Sequence, residues 1–197
     1  MNNKSSITGI VLAGGKSRRM GVDKGLMLFR GKPLVQYSLD LLNKFCDRIL
    51  ISSNNPEYQS LGYEVIADKV TGAGPMAGIA SCLEYSDSAI NLILSCDMPL
   101  LEPVILETLL KNTEGNTFVV PLDHSGRAEP LCAMYHLNSL PIMKQMIESN
   151  TFRMTGLYLK APVKYIKPTD YPEPYDKLWF TNFNSLDDIN AIDASGL

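Results

Sequence analysis

Two glycines followed by a run of cations are the first residues in this chain whose types and spacing could do chemistry. Ala13, Gly14 and Gly15 end an apolar, β-branched stretch, and Lys16, Arg18, Arg19 and Lys24 follow within ten residues against the single acid Asp23. A backbone without Cβ atoms turns sharply and lets a ligand approach its N–H groups. Backbone donors and four cations at the carboxyl end of a strand suit a polyanion, above all a triphosphate. A tight strand-to-helix turn with a solvated basic face is the other reading, and this loop alone leaves both open. Two better-known phosphate loops are excluded. No glycine pair meets the G-x-x-x-x-G-K-[ST] spacing, since five residues separate Gly25 from Gly31 and Pro33 takes the hydroxyl position. The adjacent Gly14 and Gly15 do not match G-x-G-x-x-G.

A second chemical residue lies far along the chain. Residues 89–95, AINLILS, form the most apolar strand pattern and run into Cys96-Asp97-Met98-Pro99. An acid directly after a buried strand faces the same crevice as the glycine loop. A hard oxygen there could hold Mg²⁺ together with phosphate oxygens and water; the plainer role is to cap a helix starting near Pro103. Asp68, after a short strand at 63–66, poses the same choice. It either caps a turn or accepts the paired N–H donors of a guanine.

The elements that must position these residues alternate. Strands are expected at 7–12, 48–52, 63–66, 89–95 and 117–121, and helices at 34–45, 75–85, 102–111 and 139–149. Gly72, Gly74 and Gly78 open the second helix with Pro75 at its start. A polar loop at 123–127 implies a hairpin, so the strand at 131–135 should join the sheet antiparallel. Arg127 and Glu129 precede that strand and Arg153 follows the next helix; they are candidates for a second substrate or simply surface charges. Residues 178–183 read as extended, which would put Asn182 and Asn184 on one strand face. Ser185 then caps a last helix with acids in its first turn. This order gives an α/β, three-layer α/β/α domain with a mostly parallel mixed sheet, one domain over residues 1–197.

The 197 residues are 45% hydrophobic and 20% charged with net charge −3, which argues against a nucleic-acid binder. Four cysteines lie far apart with no C-x-x-C pair, as expected for reduced core thiols rather than a zinc site. No run is long enough for a signal or membrane-spanning segment, so a cytoplasmic protein is expected. His124 and His136 are too isolated to suggest a metal or a nucleophilic triad.

Residues 12–26, LAGGKSRRMGVDKGL, resemble the signature of nucleotidyltransferases that activate small phosphorylated molecules. Within that superfamily they are most similar to the molybdenum cofactor guanylyltransferases, the MobA-type enzymes. The double glycine, paired arginines, Met20-Gly21 and Asp23-Lys24-Gly25 carry the likeness, supported at 74–78 and 95–99. The resemblance implies a Rossmann-like nucleotidyltransferase fold and transfer of GMP from GTP to molybdopterin, with pyrophosphate released. It implies Mg²⁺ as cofactor, for which Mn²⁺ can substitute, with Asp97 as its ligand. Arg18, Lys24 and Asp97 would be catalytic. Leu12, Ala13, Gly14, Gly15, Lys24, Asn54, Asp68, Gly74, Gly78 and Asp97 would hold the nucleotide. Arg127, Arg153, Asn182 and Asn184 are second-substrate candidates, and the family's similar Asn-x-Asn segment closes the active site. Ser52 stands where the family pattern leads one to expect a polar amide. The resemblance further implies transient contacts with molybdenum cofactor biosynthesis proteins and acceptor molybdoenzymes, and a monomer is expected. Related cytidylyl- or sugar-phosphate nucleotidyltransferases would share the mechanism, and a non-catalytic GTP-binding protein would share the loop without releasing pyrophosphate.

Overall fold

Successive residues of β1 (Ile7–Leu12) bury into opposite layers, Ile10 and Leu12 on one side and Val11 on the other, so the strand is apolar on both faces. The computed structural model describes residues 6–14, 23–70, 72–172 and 174–194. After β1 come a small hairpin of β2 (Leu28–Phe29) and β3 (Lys32–Pro33), then α1 (Leu34–Leu42), β4 (Arg48–Ser52) and β5 (Glu64–Ile66). The chain continues through α2 (Pro75–Leu83), β6 (Ile90–Ser95), α3 (Pro103–Lys111), β7 (Phe118–Pro121), β8 (Cys132–His136), α4 (Leu140–Glu148), β9 (Val163–Ile166) and α5 (Leu186–Ala194).

Seven strands make one sheet in the order β5-β4-β1-β6-β8-β7-β9. β5, β4, β1 and β6 are parallel neighbours; β8 runs antiparallel to both β6 and β7, and β9 is parallel to β7. The hairpin loop therefore does insert an antiparallel strand, into the middle of the sheet. α1 and α3 cover one face, with Val35, Leu39, Ile105 and Leu106 against Val11, Ile51 and Leu92. α2 and α4 cover the other, with Met76, Ile79, Met143 and Met146 against Ile10, Leu50 and Ile93. The result is the expected three-layer α/β/α arrangement. Its crevice lies outside the carboxyl ends of β4, β1 and β6, where the strand order reverses.

Two sequence readings are corrected. Residues 178–183 are not extended: a turn spans 177–180 and no strand follows before α5. Asp176 accepts the Leu178 N–H through its side chain and the Trp179 N–H through its carbonyl, and this local turn overrides the strand-like composition. The strand that closes the sheet is instead β9, whose Val163-Lys164-Tyr165-Ile166 obtains its register from β7. The expected helices at 34–45 and 75–85 end three and two residues early, at Leu42 and Leu83.

α5 starts as expected. Ser185 Oγ accepts the Asp188 N–H at 3.2 Å, and Asp188 accepts the N–H groups of Asn184 and Ser185 at 2.7 and 2.9 Å. Ile189 of this helix packs with Phe29, Leu34 and Phe183, fixing the 182–184 segment beside the β2–β3 hairpin. All four cysteines are free, and burial pushes the Cys82 and Cys96 thiols up to about 12. Among the described residues no helix is long and apolar enough to cross a membrane.

Candidate functional site

The Asp23-Lys24-Gly25 run divides its work by residue. Asp23 caps a single 3₁₀ turn, Lys24–Leu26, by accepting the Gly25 N–H at 3.1 Å. The same carboxylate accepts from Asn55 Nδ2 at 3.0 Å and from the Tyr58 hydroxyl, tying the turn to the segment after β4. Gly25 is buried because a Cβ there would collide with the Tyr58 hydroxyl and come within 3.2 Å of Cys96 Sγ. Asp23 is thus an anchor, and Lys24 is the cation it aims.

Lys24 Nζ lies 2.5 Å from Asp97 Oδ2 and 2.8 Å from Asn184 Oδ1. The other Asp97 oxygen accepts from Ser95 Oγ at 2.5 Å. Backbone contacts hold Asp97 in place: the Cys96 N–H reaches Leu12 O at 3.1 Å, and the Phe183 N–H reaches Asp97 O at 2.8 Å. The Lys24 and Asp97 side chains are only 14% and 16% exposed, so the pair is worth more than a surface ion pair. Asp97 caps no helix; α3 has Glu102 at its N-cap without a side-chain bond. Asn184 reaches Lys24 because Phe183 is docked on Asp97, not because the segment is a strand.

A second group of candidates meets on the β4 side. Ser52 Oγ donates to Asp68 Oδ1 at 3.1 Å, and the Asp68 N–H donates to Asn54 Oδ1 at 3.1 Å. Gly78 lies beneath them, where a Cβ would collide with Ser52 Oγ and approach Asp68 Oδ1 to 3.1 Å. Gly74, at φ 63°, is the N-cap of α2, so Asp68 does not cap that helix. Burial raises the Asp68 pKa against the opposing Ser52 hydrogen bond. A Cβ at Gly14 would meet, among the described residues, nothing nearer than Ser52 O at 3.7 Å. Leu12 and Ala13 are buried, and the backbone links them to Cys96, Ser52 and Ser53. Gly15 and Arg18 lie outside the described residues.

A cavity of about 420 Å³ opens next to Asn184, lined by Asp123, His124, Arg127, Lys177, Phe180, Thr181, Asn182 and Asn184. It gathers three of the five second-substrate candidates, Arg127, Asn182 and Asn184, and Glu129 is not one of its walls. Arg153 is not among its walls; it precedes the 3₁₀ turn Met154–Leu159, which packs with the α2 and α4 layer. Lys177 and His124 were not proposed from the sequence. The 177–180 turn brings Lys177 to this wall. Arg127 Nη2 pairs with Asp123 Oδ2 at 3.1 Å. Burial works against the Asp123 charge, yet hydrogen bonds from Ser125 and Arg127 and the Arg127 charge hold its pKa down to about 2. Burial pushes Glu129 up to about 7, opposed by Arg127 and reinforced by Asp123 and Asp97.

The groups that meet at Lys24, Asp97 and Asn184 are one cation and two hard oxygens. Two oxygens, from Asp97 and Asn184, already share one cationic group, and no cluster of three or more His, Cys, Asp or Glu ligands exists among the described residues. Such a set suits a metal completed by substrate phosphates and water rather than an all-protein cage.

The chain matches a known family in both sequence and fold. The model of the MobA-like NTP transferase domain matches residues 9–156. The chain is 32% identical over 190 residues to a probable molybdenum cofactor guanylyltransferase of Flavobacterium johnsoniae, covering 96% of this chain and 98% of that one. It is 29% identical over 194 residues to a protein of the same description from Natranaerobius thermophilus, covering 93% of each. In fold it is similar to the crystal structure of molybdopterin-guanine dinucleotide biosynthesis protein A from Archaeoglobus fulgidus. The TM-score is 0.79 at 24% identity, over 96% of this chain and 100% of that one.

Proposed function

Because the chain belongs to the MobA-like NTP transferase family, we propose that it transfers GMP from GTP to molybdopterin, releasing pyrophosphate and forming the guanine dinucleotide. The observation that carries this reading is the convergence of Lys24, Asp97 and Asn184 at the carboxyl end of β6, beside the carboxyl end of β1.

The acceptor is already a phosphate anion, so the reaction needs no strong general base. Its obstacle is repulsion between that anion and the triphosphate whose α-phosphorus it attacks. Lys24 sets a positive charge where the two anions must meet, with Asp97 and Asn184 fixing its position. Arg18 is proposed to add a second charge. The Asp97 carboxylate and the Asn184 carbonyl oxygen fit Mg²⁺, which when bound supplies Lewis-acid stabilisation of charge on phosphoryl oxygens.

Base selection is assigned to the Ser52, Asp68 and Gly78 wall. Guanine presents adjacent N–H and NH₂ donors that a carboxylate accepts as a pair; cytosine sets its one amino group beside acceptors. Gly78 leaves room for Ser52 to hold Asp68 in place. The same reading takes the second substrate into the cavity beside Asn182 and Asn184, and takes the enzyme as cytoplasmic.

The test uses the purified protein with Mg²⁺, molybdopterin and each of GTP, CTP, ATP and UTP, measuring pyrophosphate and dinucleotide together. GTP-dependent release of both is the expected result. Release with CTP alone would move the protein to the cytidylyl branch. GTP binding without pyrophosphate would make it a sensor and overturn the assignment.

A further inference from the structure

Glu129 is a buried carboxylate for which the transfer chemistry has no use. β6 and β8 pair antiparallel from Ile90↔His136 to Leu94↔Cys132, and the Ser95 N–H extends the ladder to Leu131 O at 2.7 Å. Beyond that pair the chain turns at 129–132, and Glu129 lies within the electrostatic reach of Asp97. Its backbone is clamped, the N–H to Pro121 O at 2.9 Å and the carbonyl to the Cys132 N–H at 3.1 Å. Its side chain is 11% exposed, and its charged neighbour is Arg127, whose Nε stands 3.8 Å from Oε1, too far for a hydrogen bond.

The surroundings of Glu129 are short of partners in the same way. The hydroxyls of Tyr171 and Tyr175 are buried without a hydrogen bond among the described residues. Their rings stack at 5.9 Å, and Trp179 meets both edge-on, at 5.7 and 5.1 Å. Tyr175 lies within the field of both Asp123 and Glu129. Asp123 and Arg127 line the cavity beside Asn184, and Arg127 links that wall to Glu129. Glu129 and the three rings are not themselves walls of that cavity, but a carboxylate without a hydrogen-bond donor and two unpaired phenols beside Arg127 suit a flat heterocycle rich in N–H donors.

Resting on the function proposed above, we infer that Glu129 reads the 2-amino-4-oxo edge of the acceptor's pterin ring, with the Tyr171 and Tyr175 hydroxyls as secondary contacts. That edge carries the same adjacent N–H and NH₂ donors as guanine, and a carboxylate accepts them as a pair. The site then uses one solution twice. Asp68 lies on the β5 side of Asp97 for the nucleotide base, and Glu129 lies on the β8 side for the pterin.

The test measures binding of two fluorescent probes at pH 8, where Glu129 is ionised. One is 6-hydroxymethylpterin; the other is the matching lumazine, which has oxygen in place of the 2-amino group. Wild type should prefer the pterin at least about tenfold, the worth of a charge-assisted hydrogen bond. Glu129→Gln should lose pterin affinity by at least about tenfold, reduce the pterin preference to near unity and leave GTP affinity unchanged. Tyr175→Phe, which keeps the ring, should lose a smaller factor for the pterin and would decide the matter if the first variant did not fold. A wild type without pterin preference overturns the inference. So does a Glu129→Gln variant that keeps the preference, or one that loses GTP and pterin affinity in parallel. Guanylylation of molybdopterin by wild type is measured separately. Turnover with an unchanged preference in the variant would reject Glu129 and keep the function, whereas absent turnover would reject the function itself.

Discussion

Glu129→Gln also makes a stability prediction that requires no substrate. In the fold the Glu129 carboxyl is pushed up to about 7 from the ordinary 4.5, first by burial. The folded state therefore binds this proton more tightly than the unfolded chain does. Below about pH 4.5 both states are protonated and the site costs nothing. The cost grows between 4.5 and 7 and is complete above 7, where the carboxylate must be ionised in either state. A raise of two to three units at about 1.4 kcal/mol each sets that cost at about 3 kcal/mol at pH 8, and at less than about 1 kcal/mol at pH 5. Glutamine keeps the shape and removes the charge. Its loss of Arg127 is small, because that guanidinium is 76% exposed and its pair with Glu129 is a long one. For a chain of this size each kcal/mol moves the Tm by roughly 2–4 °C. The variant should melt roughly 6–12 °C above wild type at pH 8 and within about 4 °C of it at pH 5, read by calorimetry in matched buffers. A Tm difference independent of pH, or a variant less stable than wild type at pH 8, would refute the argument that burial governs this carboxyl.

Lys24→Ala and Asp97→Ala should each keep a wild-type circular dichroism spectrum and lose roughly 10²–10³ in guanylyl transfer, followed as pyrophosphate release; near-normal turnover in either removes that residue from the mechanism. Gly25→Ala drives a methyl into the Tyr58 hydroxyl and toward Cys96, and should cost about 1–3 kcal/mol in a urea melt. Gly78→Ala should fold, since the gain in helix propensity of about 1 kcal/mol offsets crowding. It should nevertheless weaken GTP binding by calorimetry, because the added methyl displaces Ser52 from Asp68.

What could be read in the sequence is what one strand and the turn after it encode together. β1, β4 and β6 are apolar runs ended by Gly14, by Asn54-Asn55-Pro56 and by Asp97-Met98-Pro99, so strand and site edge announce each other. Lys24 and Asp97 were legible for that reason, and the antiparallel β8 followed from its hairpin loop. The failures share a different cause. β9 has two exposed residues in four and draws its register from β7, which no local pattern records. Trp179, Phe180 and Phe183 look like a strand by composition, but the first two pack into the main core and the third joins Phe29, Leu34 and Ile189. The Asn184 contact with Lys24 joins residues 160 positions apart, and the Asp23 contacts with Asn55 and Tyr58 span 32 and 35. The Asn-x-Asn spacing drew attention to the right residues for a reason the fold does not use: the docking of the Phe183 N–H on the Asp97 carbonyl directs Asn184, and that contact has no signature in the spacing. Glu129 is the extreme case. Beside a polar hairpin it reads as a second-substrate candidate or a surface charge alike, and no local pattern records that its backbone is clamped between Pro121 and Cys132 in the interior.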